Sequence, residues 1–190
     1  MTRPCDLDAV NARRLIGNKK LSPLELTKSC IEQIEKLNPS VNAVVAINNA
    51  DVLKQAKKAE DDVMSGSKLG LLHGLPVGIK DLNIVKNLRS TSGSKIYENR
   101  IPESDDTIVE DIRSEGAIIF CKTNTPEFGA GGNTKNFVYG ATSNPFDLTK
   151  TPAGSSGGSA AALACNMMPL ANGSDYGGSC LLYTSDAADE

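Results

Sequence analysis

Three short segments of this 190-residue chain place lysine and serine among glycines: Gly78-Ile-Lys-Asp81, Gly154-Ser-Ser-Gly-Gly-Ser159 and Gly173-Ser-Asp-Tyr-Gly-Gly-Ser179. Serine and lysine together can make a nucleophile and its base. A serine hydroxyl attacks an electrophile only once a neighbour accepts its proton. A lysine can accept it only when neutral, so burial and nearby dipoles must lower its pKa. Each segment taken alone also has a plain structural reading. Lys80 can be a solvated lysine at a strand end. The first Gly/Ser loop can be a tight turn that lets a helix pack closely, or an anion cradle at a helix N-terminus. The second can simply join a strand to the next element.

The elements around these segments alternate between strand and helix. Ser22-Pro-Leu-Glu25 opens a helix, with Ser22 as N-cap, Pro23 in the first turn and Glu25 completing a capping box. Leu26, Cys30, Ile34 and Leu37 continue it at spacings of three and four, and Asn38-Pro39 is expected to end it. Val41 to Ile47 reads as a strand, 49–64 as a helix charged on one face, and Pro76 to Leu82 as a short strand delivering Lys80. Asp105 and Asp106 can cap a helix carrying Ile108, Val109 and Ile112, with Gly116 as its stop. Ala117 to Cys121 is an apolar run suited to a strand buried on both faces. A small-residue helix is expected over Ser159 to Met167 and a brief strand over Met168 to Ala171. This alternation predicts an α/β fold with a mainly parallel sheet.

Composition narrows the field. Apolar residues make up 39% and charged residues 23%, as in an ordinary globular protein, and the net charge of −3 leaves no footprint for nucleic acid or an anionic membrane. No apolar run is long enough to span a bilayer, and the N-terminus has no signal-peptide core. The five cysteines (Cys5, Cys30, Cys121, Cys165, Cys180) lie far apart, which suits free thiols in a reducing cytoplasm. The single histidine, His73, makes a zinc site unexpected.

In this order and at these spacings (75 positions from Lys80 to Ser155, 24 from Ser155 to Ser179), the three segments resemble the amidase signature family. The resemblance runs from about Leu24 to Ser179. It includes Thr91-Ser-Gly-Ser94, Lys122-Thr-Asn124, Glu127-Phe-Gly129 and Asn144-Pro-Phe-Asp147. It implies an α/β/α sandwich around a mixed, mostly parallel sheet. The implied activity is hydrolysis of carboxylic amides to an acid plus ammonia or an amine. Ser179 would be the nucleophile, Lys80 the base, and Ser155, held by a cis peptide, the bridge between them. Backbone N–H groups of Tyr176, Gly177, Gly178 and Ser179 would form the oxyanion hole, with Ser156 and Asp175 supporting the loops. No cofactor or metal is implied. The implied partner is a small-molecule amide, without nucleic acid or membrane, and a homodimer is an assembly open to the complete protein.

Two features depart from the pattern. Tyr176 stands where threonine is common, and Cys180-Leu181 come after the nucleophile where an aliphatic residue and arginine usually do. The last eleven residues, Cys180 to Glu190, back-translate to a stretch resembling a transposase adapter used in DNA library preparation. Residues 1–179 are therefore expected to be part of an amidase signature domain and 180–190 a non-native tail, so that the 190-residue chain itself is expected to be inactive.

Rival readings carry less. Ser65–Lys68 and Ser92–Lys95 match Ser-x-x-Lys, but no Lys-Thr-Gly accompanies them. His73 lacks a Gly-x-Ser-x-Gly partner for a Ser-His-Asp triad and reads as structural. A non-catalytic nucleotide-binding module would need Gly-Lys-Ser/Thr or a dinucleotide fingerprint, and neither is present. Within the family, the glutaminase component of glutamyl-tRNA amidotransferase (its A subunit) is the alternative. Its usual Lys-Asp-Asn is here Lys80-Asp81-Leu82-Asn83, and its usual serine-rich loop is here Phe128-Gly-Ala-Gly-Gly-Asn-Thr134, which favours a stand-alone amidase.

Overall fold

A computed structural model describes residues 3–180. All of the expected non-native tail except Cys180 lies outside the described residues. The first helix, α1 (Ala9–Gly17), was not expected from the apolar spacing; Asp8 caps it by accepting the Asn11 N–H at 2.8 Å. Helix α2 (Pro23–Val41) starts as expected, with the Ser22 hydroxyl accepting from Leu24 and Glu25 N–H, while that hydroxyl also donates to Glu60 of the next helix.

Asn38-Pro39 does not end α2. Proline sits in the last turn, where it removes only one of the helix's hydrogen bonds. Asn42, in the left-handed conformation at φ 54°, then closes the helix onto Asn38 O at 2.7 Å. The Asn38 carboxamide takes the Ala43 and Val44 N–H groups and donates to Val44 O, which turns the chain into β1 (Val44–Ile47).

Next come α3 (Asn49–Ser65), β2 (Pro76–Lys80), α4 (Thr107–Ser114) and β3 (Ile118–Thr123). A hairpin of two-residue strands, β4 (Lys135–Asn136) with β5 (Gly140–Ala141), precedes α5 (Gly157–Ala164) and β6 (Leu170–Ala171). Helix α5 begins two residues before the expected Ser159, because the Gly/Ser loop itself winds into its first turn.

The main sheet has the order β1-β3-β2-β6. Strand β2 lies parallel to β3 and β6, and β1 runs antiparallel to β3, so the sheet is mixed and largely parallel. Its two faces are covered by different helices. Val77 and Ile79 of β2 pack with Ile119 and with Val109 of α4. The other face meets α2 and α5, with Leu26, Cys30, Ile118, Phe120, Ala161 and Ala162 in one buried cluster. The arrangement is the expected α/β/α sandwich. Strands β2 and β3 are buried along their whole length, as parallel strands covered on both faces must be. Close approach of α5 to the end of β3 depends on Gly158, where an added Cβ would run into the backbone of Asn124.

Candidate active site

Strand β2 ends at Lys80, whose side chain is wholly buried on the α5 face of the sheet. The first Gly/Ser loop runs into the N-terminus of α5, and the second comes directly after β6. Since β6 lies beside β2, both loops are carried to the end of the Lys80 strand. The sheet thus brings together three residues separated by 75 and 24 positions in the chain.

The Lys80 amine donates to the Oγ atoms of Ser155 at 2.7 Å, Ser174 at 2.8 Å and Ser156 at 2.9 Å. Ser155 Oγ lies 3.0 Å from Ser179 Oγ and Ser156 Oγ lies 2.8 Å from it. Ser179 Oγ also accepts the backbone N–H groups of Ser155 at 2.9 Å and Ser156 at 3.0 Å. The Gly154–Ser155 peptide is cis, the form that the resemblance implies. The two serines of the loop differ in their other contacts. Ser156 Oγ donates to Ser174 O at 3.2 Å and accepts from Ser174 N–H at 3.3 Å, whereas Ser155 Oγ meets Lys80 and Ser179.

Burial pushes Lys80 down to about 8; Cys180 and Asp175 act in the opposite sense by favouring its charged form. A lysine in this range is partly neutral near pH 8 and can accept a proton there. Its backbone N–H donates to Asn172 Oδ1 at 2.6 Å, fixing the end of β2 to the loop that carries Ser179.

The 176–179 turn differs from the oxyanion-hole expectation in one respect. The N–H groups of Gly178 and Ser179 donate to Asp175 Oδ1 at 2.6 and 3.0 Å, and Cys180 N–H donates to Oδ2 at 3.2 Å. Asp175 caps this turn as an aspartate caps a helix start, because its short carboxylate reaches N–H groups three to five residues on. In this arrangement Gly178 and Ser179 are already engaged, while the Tyr176 side chain projects fully into solvent and Gly177 is exposed. Two cavities flank Ser179. One, of about 570 Å³, is bordered by Leu82, Phe128, Gly131, Ser155 and Tyr176. The other, of about 590 Å³, lies against α5 and is bordered by Phe146, Pro152, Ser156, Ala160 and Leu163.

Sequence reasoning missed Asn172, the contact of Ser174 with the lysine, and the buried pairing of Lys122, a residue of the resemblance, with Asp81 at 3.4 Å. Lys122 had a signal in the sequence: it directly continues the apolar run Ala117 to Cys121 and so enters the sheet with it.

The amidase family model matches residues 25–182, which is most of the chain. The chain belongs to the amidase signature family. Among its curated relatives is the A subunit of glutamyl-tRNA(Gln) amidotransferase from Clostridium botulinum (strain Eklund 17B / Type B), 43% identical over 88% of this chain and 34% of the relative. Its counterpart from Acaryochloris marina (strain MBIC 11017) is 41% identical over 85% of this chain and 33% of the relative. Of solved structures, a crystal structure of an amidase is 32% identical with a TM-score of 0.84, covering 91% of this chain and 39% of that one. A bacterial aryl acylamidase of the amidase signature enzymes is also 32% identical, with a TM-score of 0.81, covering 87% of this chain and 34% of that one. The chain spans about a third of the length of the curated relatives it matches. No helix among the described residues is long and apolar enough to cross a membrane.

Proposed function

We propose that the protein of which this chain is part hydrolyses carboxylic amides through a serine acyl-enzyme. The observation that carries this reading is the continuous hydrogen-bonded path from Lys80 Nζ through Ser155 Oγ to Ser179 Oγ, with the lysine buried. Ser179 Oγ attacks the amide carbonyl as its proton passes to Ser155 Oγ, and the proton of Ser155 passes to neutral Lys80. The relay then runs in reverse to protonate the departing nitrogen, leaving an ester on Ser179 that water hydrolyses. Negative charge developing on the carbonyl oxygen calls for N–H donors of the 176–179 turn. Those of Gly178 and Ser179 would have to exchange Asp175 for the substrate oxygen. The free cysteines, four of them buried, suit a reducing compartment and so a cytoplasmic protein.

The test is labelling of the full-length protein with a fluorophosphonate, mapping of the adduct by mass spectrometry, and assay of simple aliphatic and aryl amides. An adduct on Ser179 that Ser179→Ala abolishes, together with amide turnover, supports the reading. Nucleotide binding without labelling would overturn it in favour of a binding module. A second reading has a specific observation behind it, since relatives 40–44% identical carry the name of the amidotransferase's A subunit. On that reading the amide is glutamine and the ammonia passes to a partner enzyme. Glutamine hydrolysed in strong preference to simple amides would select it.

A further inference from the structure

Behind the Lys80 base, on the other side of β2, lies a second buried lysine. Lys122 of β3 and Asp81, the residue after Lys80, are 0% and 1% exposed, and their charged groups stand 3.4 Å apart. Side chains alternate along a strand, so Lys80 and Asp81 leave β2 on opposite faces. Two further sets of contacts tie this pair to the site. Lys122 Nζ donates to Asn83 O, in the turn that leaves β2. The Asn83 carboxamide accepts from Asn172 Nδ2 at 2.9 Å, and Asn172 Oδ1 in turn holds the Lys80 N–H at 2.6 Å. The Asp81 carboxylate takes the Thr91 N–H at 3.1 and 3.2 Å and the Thr91 hydroxyl at 2.6 Å. That anchors the 91–94 turn, and Ser94 donates to Glu127 at 2.6 Å beside Phe128 at the cavity.

We propose that Lys122 and Asp81 form a charge-cancelling positioning pair for Lys80: they fix the strand end that carries the base and leave no net charge behind it. This rests on the amidase reading above. A buried carboxylate beside the base would stabilise its ammonium and disable it, and a lone buried cation would do the reverse. While Lys122 is protonated, the pair allows Asp81 to tie down the 91–94 turn without that effect on Lys80; burial lowers Lys122 to about 8, and Asp81 acts in the opposite sense. Removing one partner leaves an uncompensated buried charge, whereas removing both does not. The other charged or titratable groups facing the pair are Asp106 and Arg100 toward Lys122, and Tyr139 near Asp81, with Arg89 over the Tyr139 ring at 5.0 Å. Toward Lys80 they are Asp175 and Cys180.

The experiment compares full-length wild type with Lys122→Met, Asp81→Asn and the double variant. Two readouts are taken: the acid limb of kcat/KM for an amide, and the titration of Lys80 Nζ by lysine side-chain NMR. Lys122→Met should move both upward by on the order of one pH unit, and Asp81→Asn should move both downward. The double variant should return to within a few tenths of wild type. Folded single variants whose limb and titration stay in place, whatever their loss of kcat, would show a merely structural pair and overturn the proposal. If the singles fail to fold, the double variant decides, and a shift of a unit or more in it overturns the proposal. The NMR titration does not depend on turnover. A wild type that neither hydrolyses amides nor takes up the fluorophosphonate would therefore sink the amidase reading while this inference is still judged on Lys80.

Discussion

Ser155→Ala gives the sharpest separation between the two serines that touch both the lysine and Ser179. By distance alone they are near equals, since Ser155 spans 2.7 and 3.0 Å and Ser156 spans 2.9 and 2.8 Å. Their remaining contacts separate them. The Ser156 hydroxyl is also hydrogen-bonded to the backbone of Ser174 in both directions, so handing on its proton breaks the contact with Ser174 O. The Ser155 hydroxyl can donate to one partner and accept from the other with no such loss. A positioned proton relay is worth about 10²–10⁴-fold in rate. Ser155→Ala should therefore lower kcat by roughly 10³-fold, placed mid-way in that range. Ser156→Ala loosens the Ser174 loop but leaves the relay, so its cost should be about tens-fold. Groups acting as one unit are not additive, and the double variant should be little worse than Ser155→Ala. Single-turnover acylation of the full-length protein measures this step without product release. A larger loss for Ser156→Ala, or losses that multiply in the double variant, would refute the assignment of the relay to Ser155.

Three further outcomes rest on the same geometry. Because burial lowers Lys80 to about 8 and the proposed mechanism uses its neutral amine as base, kcat/KM should rise with pH through about 8 and fall away below it; a flat profile between about pH 6 and 9 would count against a lysine base. Ser179→Ala should abolish both the fluorophosphonate adduct and any trapped acyl-enzyme, seen as loss of the mass shift on that peptide. Gly158→Ala should destabilise the full-length protein by about 1–3 kcal/mol, the usual cost of overpacking, because its Cβ meets the backbone of Asn124; an unchanged denaturant midpoint would show that α5 can move away freely.

Much of the fold was legible because its strands are either buried on both faces or bounded by strong signals. Ala117 to Cys121 announces a central strand, and Ser22-Pro23 announces a helix start. Where the sequence misled, local rules met tertiary context. Pro39 reads as a stop, yet near the end of a helix it costs little, and Asn42 supplies the actual terminus. Helix α1 is short and its apolar face is completed only by distant residues, with Ala12 and Ile16 joining the same buried cluster as Leu26. At the candidate site, Lys80, Ser155 and Ser179 could be named from segment order. The roles of Asn172 and Ser174 and the pairing of Lys122 with Asp81 could not, because these depend on which residues stand opposite one another around β2. The engagement of Gly178 and Ser179 by Asp175 is equally hidden: the resemblance implies only that Asp175 supports the loop, and which N–H groups its carboxylate reaches is fixed by the turn's dihedral angles.

The three hydroxyls around Lys80 Nζ matter beyond holding it in place. An ammonium carries three N–H donors and no lone pair, and the three serine oxygens give each donor one acceptor. A neutral amine has two N–H bonds and one lone pair, so the same cage is satisfied only if one serine reverses and donates to nitrogen. The two protonation states then differ by the polarity of a single hydrogen bond, with the heavy atoms unmoved. Proton transfer in such a cage demands little reorganisation and no water molecule between base and relay. On the proposed relay, Lys80 and Ser155 can return the proton to the departing nitrogen along the path by which they received it.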